Sequence, residues 1–163
     1  MRAMELIAVP LEIPAECNLV LGQAHFIKTV EDLAETVVTT VPGARFGIAF
    51  CEASGPCLIR SDGNDPGLTE AAVANAERIG AGHVFVMLLG GAYPINLLNA
   101  VKQCPEVCQV FCATANPVEA LVARTDRGRG VVGVVDGSPP KGREDEAAKH
   151  ERREFLRRIG YKR

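Results

Sequence analysis

The sequence lacks a large excess of charge of either sign. It has 18 Lys and Arg residues against 20 Asp and Glu residues, and its net charge at pH 7 is -2. Proteins that bind nucleic acid through the phosphate backbone usually carry a clustered basic excess. We therefore expect no nucleic-acid partner. The basic residues near the C-terminus alternate with acidic and apolar ones, a pattern typical of the solvated face of an amphipathic helix.

Long apolar runs are also missing. A membrane-spanning helix needs roughly 18 to 20 mainly apolar residues, and no run approaches this length. Glu5 and Glu12 interrupt the N-terminus where a signal peptide would have its apolar segment. We therefore expect no membrane partner and a cytoplasmic location. Met4 could be the true start, in which case residues 1–3 would form a disordered extension.

No C-x-x-C pair occurs among the six cysteines. Three of them recur every four residues, but Pro105 and the β-favouring residues 107–111 predict a loop and then a strand, which would separate the thiols. In a chain without an export signal, we expect reduced and mostly buried cysteines and no metal site. The six are Cys17, Cys51, Cys57, Cys104, Cys108 and Cys112.

Standard motifs for binding a nucleoside triphosphate are absent as well. There is no G-x-x-x-x-G-K-S/T loop. Gly128-x-Gly130-x-x-Gly133 has the spacing of the dinucleotide fingerprint, but an apolar strand follows it where that fingerprint needs a helix. The protein-kinase version of this loop needs a lysine, a catalytic loop and a metal-binding Asp in a fixed order, and the chain has no such set. A turn is favoured about three to one over a phosphate cradle.

The residues that are present predict an α/β protein. With 163 residues, 47% hydrophobic and 23% charged, the chain has the size and balance of one soluble globular domain spanning residues 1–163. Strand-like and helix-like segments alternate, and the continuous apolar run Val84 to Leu89 predicts a central strand. We expect a single-domain three-layer α/β/α sandwich with a mixed β-sheet, in which helices cover both faces. The last helix should run from Arg143 to Ile159 and end at Gly160.

The stretch from Leu21 to Leu33 is the best candidate for chemistry. His25 and Lys28 lie just before a predicted helix for which Thr29 can act as the N-cap. Free N–H groups at a helix start attract phosphate, and a neutral imidazole there could accept a phosphoryl group or shuttle a proton. The alternative is a hydrogen-bonded core histidine, which begins ahead at about two to one.

Two polar clusters follow predicted strands, where ligands often bind in α/β sheets. In the first, Asn96 and Asn99 share a helix face beside Tyr93, which suits a purine base; helix capping is an equally good explanation. In the second, Glu119 follows Asn116 and could hold a ribose, although an Asx-turn is simpler. Asp136, at the end of a strand, is a similar case. We expect His83 to be structural. Another helix should span Glu70 to Ile79 with Thr69 as its cap, and Val118 to Thr125 is narrowly favoured as a strand.

Four blocks of the sequence, taken together, resemble the adenosine-specific kinase family of archaea and bacteria. The resemblance covers nearly the whole chain and implies a small α/β protein that forms a homo-oligomer, a trimer by expectation, and binds adenosine or AMP. It also implies that His25 is a phosphorylatable histidine. The blocks are GQAHFIKTVED at 22–32, AYPIN at 92–96, CATANP at 112–117, and residues 128–137 with Gly128-Arg129-Gly130 and Val134-Val135-Asp136-Gly137.

The leading hypothesis is an adenosine-binding phosphotransferase. His25 would take or relay a phosphoryl group. With the other polar blocks and the family resemblance, a functional His25 is favoured about two to one over the buried core histidine. Lys28 and the helix start would neutralise the phosphate charge. The phosphate donor stays open, with a magnesium-bound nucleotide as one candidate. The alternatives are a non-catalytic adenosine or AMP sensor and an oligomeric scaffold. Tyr93, Asn96, Asn99, Asn116, Glu119 and Asp136 would hold the nucleoside.

Overall fold

The structure, a computed structural model, describes residues 3–163 and contains eight strands and four helices in that range. Met1 and Arg2, for which a disordered extension is expected, lie outside the described residues. The elements in chain order are β1 Glu5–Leu11, β2 Cys17–Ala24, α1 Thr29–Thr40, β3 Arg45–Cys51, β4 Ile59–Gly63, α2 Pro66–Ile79, β5 Val84–Gly90, α3 Pro94–Gln103, β6 Val107–Thr114, β7 Val118–Arg124, β8 Arg129–Asp136 and α4 Glu146–Arg158.

The strands divide between two sheets. The larger has the order β4-β3-β5-β2-β6, and the smaller has the order β1-β7-β8. Strand β5 lies at the centre of the larger sheet and every one of its residues is buried, which agrees with its continuous apolar sequence. The segment 118–125 is a strand, as narrowly favoured from its sequence.

Strand pairing differs in one respect from the expected mixed sheet. All pairs among residues 3–163 are antiparallel. The alternation of strands and helices nevertheless produces crossovers, because β2-α1-β3, β4-α2-β5 and β5-α3-β6 each join two parallel strands. In each case one antiparallel strand lies between the two that are joined: β5, β3 and β2 respectively. The alternation of strands and helices in the sequence predicts the crossover connections. It does not predict that a third strand lies between the two strands that each crossover joins.

Helices cover both faces of the larger sheet, and the predicted α/β class is confirmed. On one face, α1 and α3 pack against apolar side chains of β2, β3 and β5 such as Val20, Ile48 and Met87. On the other face, α2 and the inner side of the smaller sheet cover residues such as Leu19 and Val86. The two cores lie back to back because alternate residues of a strand point to opposite faces.

Two helix starts differ from the predicted ones. Thr29 is the first residue of α1 and not its cap, because its hydroxyl donates to the carbonyl oxygen of Phe26. Helix α2 begins at Pro66, three residues before the predicted cap Thr69. Asp65 is the cap, and its side chain accepts a hydrogen bond from the backbone N–H of Leu68. Proline suits the first turn because its missing N–H has no helical partner there.

The cysteines are all unpaired within residues 3–163. Cys17, Cys51 and Cys112 are buried, whereas Cys57 and Cys108 are exposed. Burial raises the pKa of the Cys51 and Cys112 thiols to about 11, so both remain protonated near neutral pH.

Helix α4 stands apart from both cores. It is shorter than the predicted helix from Arg143 to Ile159, and no residue of its span Glu146–Arg158 is buried in the described structure. Asp145 caps it by accepting from the N–H of Ala148. Over residues 3–163, no helix is long and apolar enough to cross a membrane.

Candidate functional site

Two polar regions lie at opposite edges of the larger sheet, one at each end of strand β2. We call the region containing His25, Lys28, His83 and Glu106 the histidine end. The asparagine end contains Asn18, Tyr93, Asn116 and Asp136. Asn18 and His25 are seven residues apart along an extended chain, which at about 3.3 Å per residue corresponds to roughly 23 Å. The fold therefore holds the predicted catalytic pair and the predicted nucleoside ligands apart within one chain.

His25 is exposed and follows directly on the end of β2. Its backbone N–H donates to the carbonyl oxygen of Glu106 at 3.0 Å, and its Nε2 lies 3.3 Å from the carbonyl oxygen of Pro105. A carbonyl oxygen only accepts hydrogen bonds, so Nε2 carries the proton in the neutral ring and Nδ1 keeps a free lone pair. The short segment before β6 thus fixes both the backbone and the ring of this histidine, which is not the core histidine of the alternative reading.

A cavity of about 290 Å³ opens beside His25. His83, the residue just before β5, lines it, and its ring stacks on that of Phe50 with centroids 5.9 Å apart. The backbone of His83 is left-handed, with φ of 64°. Such a conformation is uncommon for a residue with a side chain and often accompanies functional sites. Phe26, which is half exposed, forms another wall. No feature of the sequence predicts that His83 and His25 line the same cavity.

Lys28 is paired with two carboxylates. Its Nζ lies 2.7 Å from Asp32 Oδ2 and 3.2 Å from Oε1 of Glu106. Glu106 is only 2% exposed, and neither of its carboxylate oxygens makes a hydrogen bond within the described chain apart from this ion-pair contact. The positive charge of Lys28 is therefore already balanced. Its predicted role at a phosphate on His25 would require these ion pairs to rearrange.

Asp32 makes this cluster sensitive to acid. The hydrogen bond that the Lys28 ammonium donates at 2.7 Å lowers the pKa of Asp32, because it stabilises the ionised carboxylate. A carboxyl whose pKa falls on folding stabilises the protein above its unfolded pKa, and this stabilisation is lost as the pH falls through the lower folded value.

We expect Asp32→Asn to lower the free energy of unfolding at pH 7 by up to about 1 kcal/mol. The difference from the native protein should be constant from about pH 8 to 5 and shrink below about pH 4. Urea unfolding at a series of pH values measures it. Glu31→Gln is the control, because Glu31 lies in the same first helical turn and shares any effect of the helix dipole. A difference that is the same at pH 3 and pH 7 would contradict the prediction.

Two cavities adjoin at the asparagine end. One, of about 500 Å³, is lined by Tyr93 and by the turn from Ile13 to Asn18. The other, of about 510 Å³, is lined by Asn116 and by the first residues of the β1–β2 connection. They share Ile13, Pro14 and Ala115 as a wall. Each has the size of a typical small-molecule pocket, and both combine apolar walls with a few amide and carboxylate groups.

Polar contacts hold the asparagine end together. Asn18 is buried, and its side chain donates to the carbonyl oxygen of Ala92 at 3.0 Å. The Asn116 side chain donates to Asp136 at 3.2 Å. The structure thus brings these two predicted residues together, Asn116 from the β6–β7 connection and Asp136 from the end of β8. Asn18 is a further polar residue at this end. It was not predicted as a site residue because it lies within an apolar strand.

The remaining predicted ligand residues are placed differently. The Asn96 side-chain oxygen accepts from the backbone N–H of Tyr93 at 3.0 Å, so it caps α3, as the alternative explanation has it. Asn99 is exposed further along α3 and lines neither cavity. Glu119 is exposed on the side of β7 opposite the buried Val118 and Ala120. Its carboxylate therefore points away from the core-facing side on which the cavities lie.

Comparisons with known proteins identify a family and a similar solved structure. A family model described as adenosine specific kinase matches residues 9–162. The chain is also similar to the protein in the crystal structure of PH1918 protein from Pyrococcus horikoshii OT3, with 46% sequence identity and a TM-score of 0.95 over 99% of each chain. No curated protein matches the chain.

Proposed function

The chain belongs to the adenosine-specific kinase family, and from this premise we propose that it binds adenosine or AMP and transfers a phosphoryl group through His25. The observation that carries the proposal is the fixed ring of His25, whose Nε2 faces the carbonyl oxygen of Pro105. The Nδ1 lone pair is then the nucleophile available to a phosphorus atom. The family match supports the adenosine part of the proposal, and the ring geometry supports the phosphoryl part.

The proposed reaction has two transfers. Nδ1 attacks the terminal phosphorus of a phosphoanhydride donor such as a magnesium-bound nucleoside triphosphate; an N–P bond forms, and the leaving phosphate oxygen keeps the electron pair of the broken P–O bond. The 5′-hydroxyl of adenosine then attacks the same phosphorus, and its proton passes to the nitrogen that the phosphoryl group leaves. The product is AMP. Holding the imidazole in one tautomer favours both transfers.

The asparagine end supports the nucleoside-binding part. Its two adjoining cavities combine an exposed tyrosine ring with the amide of Asn116, and the carboxylate of Asp136 lies behind that amide as its hydrogen-bond acceptor. An aromatic face together with amide donors and acceptors suits a purine, and a carboxylate suits a ribose hydroxyl. By the family resemblance we further propose a homo-oligomer, with a trimer as the expected form, that works in the cytoplasm.

One observation favours a second candidate function. A nucleoside at the asparagine end of a chain lies roughly 23 Å from His25 of the same chain, much too far for direct transfer. Either His25 of one copy serves the cavity of another copy, or the protein is a non-catalytic adenosine or AMP sensor. The paired charge of Lys28 also agrees with a sensor, since that lysine offers no free cation to a phosphate.

We expect the native protein to convert adenosine and ATP labelled at the γ-phosphate into labelled AMP, and His25→Gln to reduce the rate at least about 100-fold. Glutamine keeps a polar side chain of similar reach but offers no nucleophile. Calorimetric titration of both proteins with adenosine is the companion measurement, and the affinity should be unchanged. His150→Gln is the matched control, because His150 is exposed on α4 and should leave the rate unaltered.

The outcomes separate the candidates. Adenosine binding without labelled product in the native protein would overturn the phosphotransferase and leave the sensor. If adenosine and AMP both fail to bind, the whole proposal is wrong. A site shared between copies can be tested by mixing two inactive variants, His25→Gln and Asn116→Ala, and reassembling the oligomer. The mixture should regain part of the native activity, because some of the mixed sites contain both intact residues.

A further inference from the structure

Helix α4 carries an apolar stripe that its own chain leaves uncovered. Phe155 and Ile159 are four residues apart and therefore lie on one face, with Leu156 beside them and Ala148 two turns earlier. Phe155 is 48% exposed and Ile159 is 43% exposed. Tyr161, just beyond the helix, is exposed to a similar degree.

The smaller sheet has an uncovered apolar face of its own. Its inner face packs on the core through residues such as Val9 and Val122. The opposite face, which we call the outer face, presents Leu6 and Val132, each 62% exposed, together with Val135. Ala8 lies opposite Leu121 on the neighbouring strand, which continues the apolar surface across β1 and β7. A sheet face of this kind on a soluble chain usually marks an interaction surface.

Something holds α4 in place. A 13-residue helix without packing is only marginally stable in water. Helix α4 and the residues after it are the last 18 of the 163 residues, about 11% of the chain. The PH1918 crystal structure matches 99% of both chains with a TM-score of 0.95. A score this high would not be reached if those 18 residues lay elsewhere in that structure. The same projecting position in an experimental structure of a similar protein indicates that a partner surface supports the helix.

We propose that α4 of one copy packs its Phe155–Ile159 stripe on the outer face of the smaller sheet of a second copy. The two uncovered surfaces occur in equal number on every chain, so one contact between copies covers both. Exposed Glu119 lies on the outer face beside Val135. The basic residue Arg158 ends α4 next to the stripe, and Lys162 follows just beyond the helix, so the charges at the rim are complementary. Contact between two different surfaces closes into a ring when the rotation between successive copies allows it. The proposal goes beyond the nucleotide chemistry and does not depend on it.

The first test measures assembly by size-exclusion chromatography with light scattering at micromolar concentration. The native protein should be an oligomer, and Phe155→Asp combined with Ile159→Asp should give a folded monomer. Val132→Asp, on the outer face, should have the same effect. The matched control places the two aspartates at His150 and Arg157, on the opposite side of α4, and should keep the native size. Circular dichroism confirms that each variant is folded.

A second test identifies the occupant of the outer face. A photoreactive benzoylphenylalanine at position 155 should cross-link to peptides of β1, β7 or β8 of another copy, as shown by mixing isotopically light and heavy chains before mass spectrometry. A monomeric native protein, an unchanged oligomer in the Phe155 and Ile159 variant, or cross-links only to a different surface or within one chain would overturn the proposal. Capture of an unrelated protein in place of a second copy would overturn it too.

Discussion

Gly47→Ala should destabilise the protein by about 4 kcal/mol or more. Gly47 lies in β3 where α2 crosses the sheet, and a Cβ at this position would be 2.2 Å from the carbonyl carbon of Leu68 and 2.2 Å from the nitrogen of Thr69. Both are backbone atoms, so no rotamer change can relieve the clash. Helix α2 would have to move away from the sheet and break the packing of residues such as Ala72.

Thermal unfolding followed by circular dichroism measures this effect. A loss of this size lowers the melting temperature of a chain of this length by roughly 10 °C or more. Gly133→Ala is the matched control, because Gly133 is also a strand glycine and a Cβ there would meet nothing within 4 Å; its effect should stay within about 0.5 kcal/mol. Equal shifts for the two variants would show that α2 does not approach β3 as closely as described.

Asn75→Leu should affect both stability and adenosine binding. Asn75 is fully buried in α2, and its side chain accepts from the backbone N–H of Glu12 at 2.9 Å and donates to the carbonyl oxygen of Glu12 at 2.7 Å. Leucine has a similar volume but leaves both backbone groups without these partners. Because Glu12 is itself exposed, water can replace part of each lost bond, and at about 0.5–1.5 kcal/mol per hydrogen bond we expect a total loss of about 1–3 kcal/mol.

The functional effect follows from the position of Glu12. The residues after it, Ile13 and Pro14, form the wall that the two cavities of the asparagine end share. If this wall loosens, adenosine affinity should fall at least about tenfold, the equivalent of 1.4 kcal/mol. Urea unfolding and calorimetric titration measure the two effects. Asn99→Leu, on the exposed side of α3, should change neither. An Asn75→Leu protein that is less stable but binds adenosine normally would place the nucleoside elsewhere.

Local sequence features predicted most of the secondary structure because the physical causes are local. The continuous apolar run of β5 predicts that the strand is buried on both faces. The preference of proline for the first turn of a helix predicts that α3 begins at Pro94. The start of α2 at Pro66 was missed because Asp65-Pro66-Gly67 also reads as a turn. Only the N–H of Leu68, reaching back to Asp65, distinguishes a cap from a turn.

The site was harder to predict because long-range packing builds it. Nothing near Glu106 in the sequence marks it as buried, yet it contacts both His25 and Lys28 once β6 pairs with β2. His83 lines the same cavity as His25 only because the start of β5 lies beside the end of β2. The separation of the two polar ends likewise follows from strand direction, which the sequence pattern does not reveal. The roles predicted for individual site residues remain predictions until the variants are measured.

The inserted strands of the crossovers have a consequence during synthesis. Both neighbours of β2 in the larger sheet, β5 and β6, follow it in the chain, and β5 begins only at Val84. The nascent chain must therefore present the apolar residues of β2 without a pairing partner while some 60 further residues are translated. Unpaired apolar strands of this kind aggregate easily. We expect the ribosome-bound chain to need chaperone protection until β5 emerges and the sheet can close around it.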